Sequence, residues 1–386
     1  MGKAIVIAAA NSLPADKARA DAVCTGARDE LVLSGQIALL TRGGTLLLLD
    51  GDYYIDSFPF EDNTAVYFGY NEGNARAVKV MGDTENKGYN TRCGAVIHVT
   101  EKALRSLPNG AEGRVFGGTK QRPEAEGVYY TYTYVNNLNI ENLLVLLWDA
   151  SRPIIGIDLF YFGSGYLKLT GVFTESYFDD RYLHKKPLPP AKECIGIRST
   201  HGANDGMASI GFDTVYVGGV YTGFRIMGMD HLIMSGCGSC RCCIGYEFAH
   251  SCKTLTMINC CDEGNTHLPR FYGMGQLTCL DFNIERFNEN YIPDDLWTDG
   301  EPGAAEQYPG MWHGSIGYTL EGEAYGLHTF WKKGHGSGMK TVNLYHDGLK
   351  RPEYPEFLEE YFDRAKNIKY IWNGEYWVDP MGNRCE

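Results

Sequence analysis

The chain has 386 residues and a formal charge of -13, with no basic run longer than His184-Lys185-Lys186, which argues against nucleic acid as a partner because phosphate binding needs a basic face. Hydrophobic residues at 44% and charged residues at 22% exclude disorder, while 47 Gly and 26 Tyr favour turns and strands over helices. Such a length accommodates one elongated domain of repetitive β structure around a continuous core.

The opening "KAIVIAA" predicts an apolar strand, too short to span a membrane and not followed by a cleavage site, so neither membrane nor export signal is expected. "DELVLSGQIALLTRGG" predicts a helix within residues 29–42, with apolar Leu31, Ile37, Leu39 and Leu40, acids at its start and Gly43 as a stop. "GTLLLLDGDYYIDS" then predicts a buried strand, a turn at Asp50-Gly51 and a second strand. Asp29, Glu30, Asp50 and Asp52 are read as capping and turn residues.

Segment 143–173 alternates strands and turns, and between 214 and 287 the strands recur with a loose period. Gly223-Phe224-Arg225-Ile226 is echoed by Gly245-Tyr246-Glu247-Phe248, and the strand starts at Thr254 and Gln276 keep the same interval. A repeat of roughly 20 to 25 residues made of strands predicts a stacked solenoid; a propeller blade would need about twice that. Residues 175–213, rich in Pro and Gly, predict a long excursion from the coil.

The run "IVIAAANS", "KARADAVCTGARDE", "GGTLLLLDGDYYIDSF" resembles the N-terminal cap of right-handed parallel β-helix proteins of the pectate-lyase superfamily, where a helix, a Gly-Gly-Thr strand and an Asp-Gly turn close the open end of the coil. The resemblance implies an all-β fold, a right-handed parallel β-helix with an N-terminal helical cap: cap at 1–60, coil at 61–300 with a long loop at about 175–211, and final turns with a C-terminal cap at 301–386. It implies carbohydrate as the substrate class. The group includes polysaccharide lyases, glycoside hydrolases, fructotransferase-like enzymes, epimerases and phage tailspikes, and fold alone does not choose among them. Aromatic side chains in "EGVYYTYTYVNN" and "FNENYIPDDLW" are of a type that stacks on sugar rings.

Glycoside hydrolysis requires two carboxylates about 5 to 9.5 Å apart, a separation met by residues one or two turns apart on a coil rising about 4.8 Å per turn. Glu247, Asp262, Glu263 and Asp281 fall in consecutive turns and are the catalytic candidates. Arg225, His267 and Arg270 lie beside them, and His201 and Asp205 stand where the excursion rejoins the coil; these five are the substrate-binding candidates. His313, Glu321, Glu323, His328 and His335 form a second tier. "CGSCRCC" with Cys260 and Cys261 resembles half a zinc site, but buried core thiols are the favoured reading, reduced and without metal, as 12 cysteines in a chain this long fit a reducing compartment. No cofactor is expected, calcium entering only for a lyase.

Two classes of function follow. One is an enzyme that cuts or rearranges a glycosidic bond using paired carboxylates, with a polysaccharide lyase as a variant. The other is a tailspike-like or surface β-helix that binds glycan without chemistry. Either expects an oligo- or polysaccharide partner and a homo-oligomer, a trimer being one form. Either fits a cytoplasmic protein or a component released in a phage-type particle.

Overall fold

The computed structural model describes residues 3–69, 76–85, 94–118, 136–160, 162–178, 191, 193–199, 207–249, 254–265, 269–271, 276–286, 311–320, 323–333, 345–348, 360–363 and 366–385. Their strands coil into a parallel β-helix with three faces. The first face stacks Lys3–Ala8, Gly44–Leu48, Arg76–Gly82 and Asn136–Glu141, then the leading halves of Ser164–Thr174 and Met207–Gly218, then Met229–Ser235, Thr254–Ile258 and the leading half of Gln276–Arg286. The second stacks Gly51–Ile55, Ala95–Val99, Leu143–Leu147, the trailing halves of the same long strands, Gly238–Cys240 and Cys261–Glu263. The third stacks Thr64–Tyr67, Gly113–Gly117, Ile154–Asp158, Cys194–Ser199, Thr222–Met227, Ile244–Ala249 and Arg270–Phe271.

The corner between the first two faces is made the same way in turn after turn. Asn142, Leu169, Thr214, Gly236 and Asn259 all take left-handed backbone, with φ of 56°, 46°, 56°, 59° and 50°. One such residue redirects a strand without breaking the ladder on either side. Asn and Gly suit it, whereas Leu169 and Thr214 hold it at a steric cost that the stacked neighbours must offset.

Period-two alternation sends every second side chain inward, where equivalent positions pile up along the axis. Ile5, Leu46, Val80, Ile140, Leu167, Phe212, Met234, Met257 and Cys279 form one such column, each at most 3% exposed. Burying a side chain of this size contributes about 1.5–3 kcal/mol, so the column is a main source of stability. The interval is 22 or 23 residues across Ile210, Leu232, Leu255 and Leu277, as the sequence period predicts. Earlier turns are longer, the next residue above Val80 being Ile140.

The helix Asp29–Ala38 closes the N-terminal end. Its core contacts are Leu33 and Ile37, together with Leu40 just beyond it; Leu31 and Leu39, expected to share that face, are 39% and 52% exposed. Its polar side stands in for a missing strand. Asp29 accepts from the amides of Thr25, Gly26 and Tyr54, Glu30 from Asp56 N and Ser57 Oγ, and Ser34 bridges Ala65 O and Tyr67 N. Two fully buried carboxylates thus satisfy strand edges that would otherwise be orphaned.

Two expectations change. The strands at 3–55 are already turns of the coil, so cap and coil are continuous. Cys194–Ser199, inside the expected excursion at 175–211, is a regular rung of the third face, because Cys194, Ile195 and Ile197 fill interior positions despite their Pro-rich surroundings. In the C-terminal segment Glu360–Asp363 is a strand. That segment ends in antiparallel strands around Tyr361, Tyr370 and Trp377, with a turn at Asn373-Gly374.

Removing the cap carboxylate with Asp29→Ala leaves the amides of Thr25, Gly26 and Tyr54 without their acceptor and should lower unfolding free energy by about 1–3 kcal/mol, as followed by urea denaturation. A loss below about 1 kcal/mol would mean that water replaces the carboxylate.

Candidate functional site

Outward positions of the third face line up as strictly as inward ones, and there the stacked residues are charged. Asp158, Arg198, Arg225, Glu247 and Arg270 occupy one register position in successive turns. Arg198 binds Asp158 through Nη2 at 2.7 Å and Nε at 3.3 Å, and reaches Glu112 at 2.8 Å. Arg114 adds contacts to Asp158 at 3.0 Å and Asp62 at 3.2 Å. Burial alone would lower the Arg198 pKa, but Asp158 and Glu112 outweigh it and raise it, so the guanidinium stays charged.

Farther along, Arg225 Nε donates to Glu247 Oε2 at 2.6 Å, Nη1 to Glu193 at 2.9 Å and Nη2 to Thr222 Oγ1 at 3.3 Å. The two glutamates are separated by no more than two hydrogen bonds and one guanidinium. A carboxylate that accepts from a guanidinium can act as base, nucleophile or hydrogen-bond acceptor, and is unsuited to donating a proton. Glu193 is half exposed, while Glu247 and Arg225 line the floor at 15% and 18% side-chain exposure.

The structure therefore joins Glu247, Arg225 and Arg270 on one face and adds Glu193, Asp158, Arg198 and Glu112. Glu263 lies elsewhere: it is an outward residue of the second face, in register with Cys240 and Glu285. Asp281 stands in Gln276–Arg286 at the bend between the first and second faces, where the register with the next strand shifts. His201, Asp205 and His267 lie outside the described residues, as do Glu321 and His335. His313 falls in Met311–Leu320, and Glu323 and His328 fall in the antiparallel strand Glu323–Lys333.

Asp262, a catalytic candidate by sequence, instead points into the coil. It occupies the inward column of the second face, above Val217 and Ser239, and is fully buried. Its Oδ1 accepts from Ser239 Oγ at 2.9 Å and from Asn265 Nδ2, whose own Oδ1 accepts from Cys242 N at 2.6 Å. Ser239, Asp262 and Asn265 form a polar knot inside an otherwise apolar core, against the third-face Gly245.

Cysteines pack into the same region as free thiols. Cys237 and Cys260 sit at equivalent corners one turn apart, and their thiols point at the carbonyls of Phe212 and Met234 at 3.6 Å. Burial pushes Cys194 and Cys240 up to about 12 and raises Cys237. Among the described residues no group of three or more His, Cys, Asp or Glu is placed to hold a metal.

No protein-family model matches the chain, and no curated protein matches it. Among solved structures it is similar to tailspike protein 3 of bacteriophage CBA120, at 9% identity over 92% of this chain and 67% of that one, with a TM-score of 0.23. At that score the superposition is too loose to bear on function, and the fold rests on the strand register above.

A Cβ at position 245 would collide with Asp262 Oδ1, Ser239 Oγ and Asn265 Nδ2. Gly245→Ala should therefore lower unfolding free energy by about 1–3 kcal/mol in chemical denaturation, and an unchanged midpoint would contradict the knot. Because thiolate is the reactive form, alkylation of Cys194, Cys237 and Cys240 at pH 8 should be slow in the native protein and complete in denaturant, with the native rate at Cys194 and Cys240 rising only as pH approaches 12. Rapid native labelling of Cys194 would contradict their burial.

Proposed function

We propose that this protein binds a neutral glycan chain along the outward ladder of the third face. The observation that carries the reading is the stacking of Asp158, Arg198, Arg225, Glu247 and Arg270 at one register position. A parallel coil places these rungs about 4.8 Å apart. A polymer lying along the axis therefore meets a repeating series of fixed donors and acceptors from Arg198 to Arg270, with Asp158 buried and paired to Arg114 and Arg198, and sugar hydroxyls can serve either. Arg198 and Arg225 are each held by two carboxylates, which compensates their charge and disfavours selection of an acidic sugar. Carbohydrate is also the class implied by the resemblance of the N-terminal cap.

Cleavage of a glycosidic bond is the second reading, favoured by Glu193 and Glu247 sharing Arg225. Glu247 would act as nucleophile or base. The proton for the leaving group would come from another residue or from substrate-bound water, since both glutamates accept from the guanidinium. Glu263 and Asp281 belong to other faces, and Asp262 serves the core.

The test is a neutral oligosaccharide panel read by calorimetry and mass spectrometry. Arg225→Ala should weaken binding at least tenfold, about 1.4 kcal/mol, while Glu247→Gln should keep affinity within a few-fold. If products form, Glu247→Gln should cut turnover by roughly 10² to 10⁴. Wild-type affinity in Arg225→Ala on a confirmed ligand would place the binding face elsewhere.

A further inference from the structure

A second, smaller feature lies at the corner between the second and third faces, near the N-terminal end. An open hollow of about 470 Å³ is lined by Asp56, Thr100, Glu101, Lys102, Arg105 and Trp148. That is within the range of small-ligand sites. Trp148 follows Leu143–Leu147 of the second face and is 43% exposed, yet its ring is engaged by neighbouring side chains. Its indole Nε1 donates to His98 Nδ1 at 3.1 Å; His98 Nε2 in turn meets Asp52 Oδ1 at 2.8 Å. Asn11 grips Asp52 at both ends, its Nδ2 donating to Asp52 Oδ2 at 2.7 Å and its Oδ1 accepting from Asp52 N at 2.8 Å. Tyr54 stacks on the His98 ring at 4.9 Å and 15°, and meets Trp148 edge-on at 6.4 Å.

The direction of these bonds fixes the imidazole. An indole can only donate, so His98 Nδ1 accepts and Nε2 carries the proton toward Asp52. A half-exposed indole N–H does not need an internal acceptor, because water would serve. What the relay from Asn11 through Asp52 and His98 does achieve is to fix the plane of an exposed aromatic ring at the edge of a hollow. The remaining lining is polar: Asp56 accepts from Thr100 Oγ1 at 2.8 Å and Lys102 Nζ at 3.2 Å, and Glu101 pairs with Arg105 at 2.7 Å.

We infer that this hollow is a separate saccharide subsite, in which one pyranose ring lays its apolar C–H face on Trp148 and turns its hydroxyls to Asp56 and Lys102. A fixed aromatic surface beside paired donors and acceptors matches a ring that is apolar on its face and polar at its edge. The inference shares its ligand class with the glycan reading, but it uses none of the ladder residues.

The experiment separates the two. Methyl glycosides of glucose, galactose, mannose and N-acetylglucosamine are single rings, too short to span the ladder, and are offered to the full chain in saturation-transfer NMR. Transfer to ring C–H protons of at least one glycoside is expected, retained in Arg225→Ala, reduced in Trp148→Phe and lost in Trp148→Ala. His98→Ala should weaken it several-fold at unchanged Trp148 exposure to a fluorescence quencher, because the ring remains but is no longer oriented. Absence of transfer from the whole panel would overturn the subsite, as would transfer equal in wild type and Trp148→Ala. Choline displacing the glycoside would also overturn it, marking a cation site built on the same ring. Trp148→Phe, with a melting temperature near wild type, guards against misfolding as the cause. Failure of longer oligosaccharides to bind the ladder would leave each of these outcomes readable.

Discussion

A turn of the coil buries its inward side chains only against the turns above and below, and pairs its strand edges only there. Every other feature follows from that dependence. It demands the same side-chain type at the same position in turn after turn, which is why Met234 rests between Phe212 and Met257 and why left-handed residues recur at one corner. It also leaves the two ends exposed. At the first of them Asp29, Glu30 and Ser34 supply, from a helix, the hydrogen-bonding groups of an absent strand.

The same dependence produces the ladder. Once interior stacking has fixed the register, outward residues are placed one turn apart without further constraint, so a series of charges becomes a rigid, regularly spaced surface. Networked guanidinium–carboxylate contacts keep long side chains in place, which isolated surface pairs do less well. Inside, the knot of Ser239, Asp262 and Asn265 shows the converse: polar residues survive in the column when they satisfy one another and the facing strand carries glycine.

The cap was legible because its signals are local: acids at a helix start, Gly at its end, an Asp-Gly turn. The period was legible where turns are uniform and hidden where insertions stretch them, as between Val80 and Ile140. Asp262 was misplaced because "NCCDEG" has no apolar alternation; its inward direction is set by Ser239 one turn below, which only the register reveals. Glu193 is hidden in sequence by its Pro-rich stretch, which signals an excursion and not a rung. Asp52, His98 and Trp148 are 46 and 50 residues apart, and only the stacking of the second face brings them together.

The most direct measurement of the ladder as a binding face is affinity as a function of oligosaccharide length. If the ligand runs along the axis, the dissociation constant should fall with each added sugar and level off once the four rungs from Arg198 to Arg270 are covered. Affinity that is independent of length, or confined to a single ring, would contradict it.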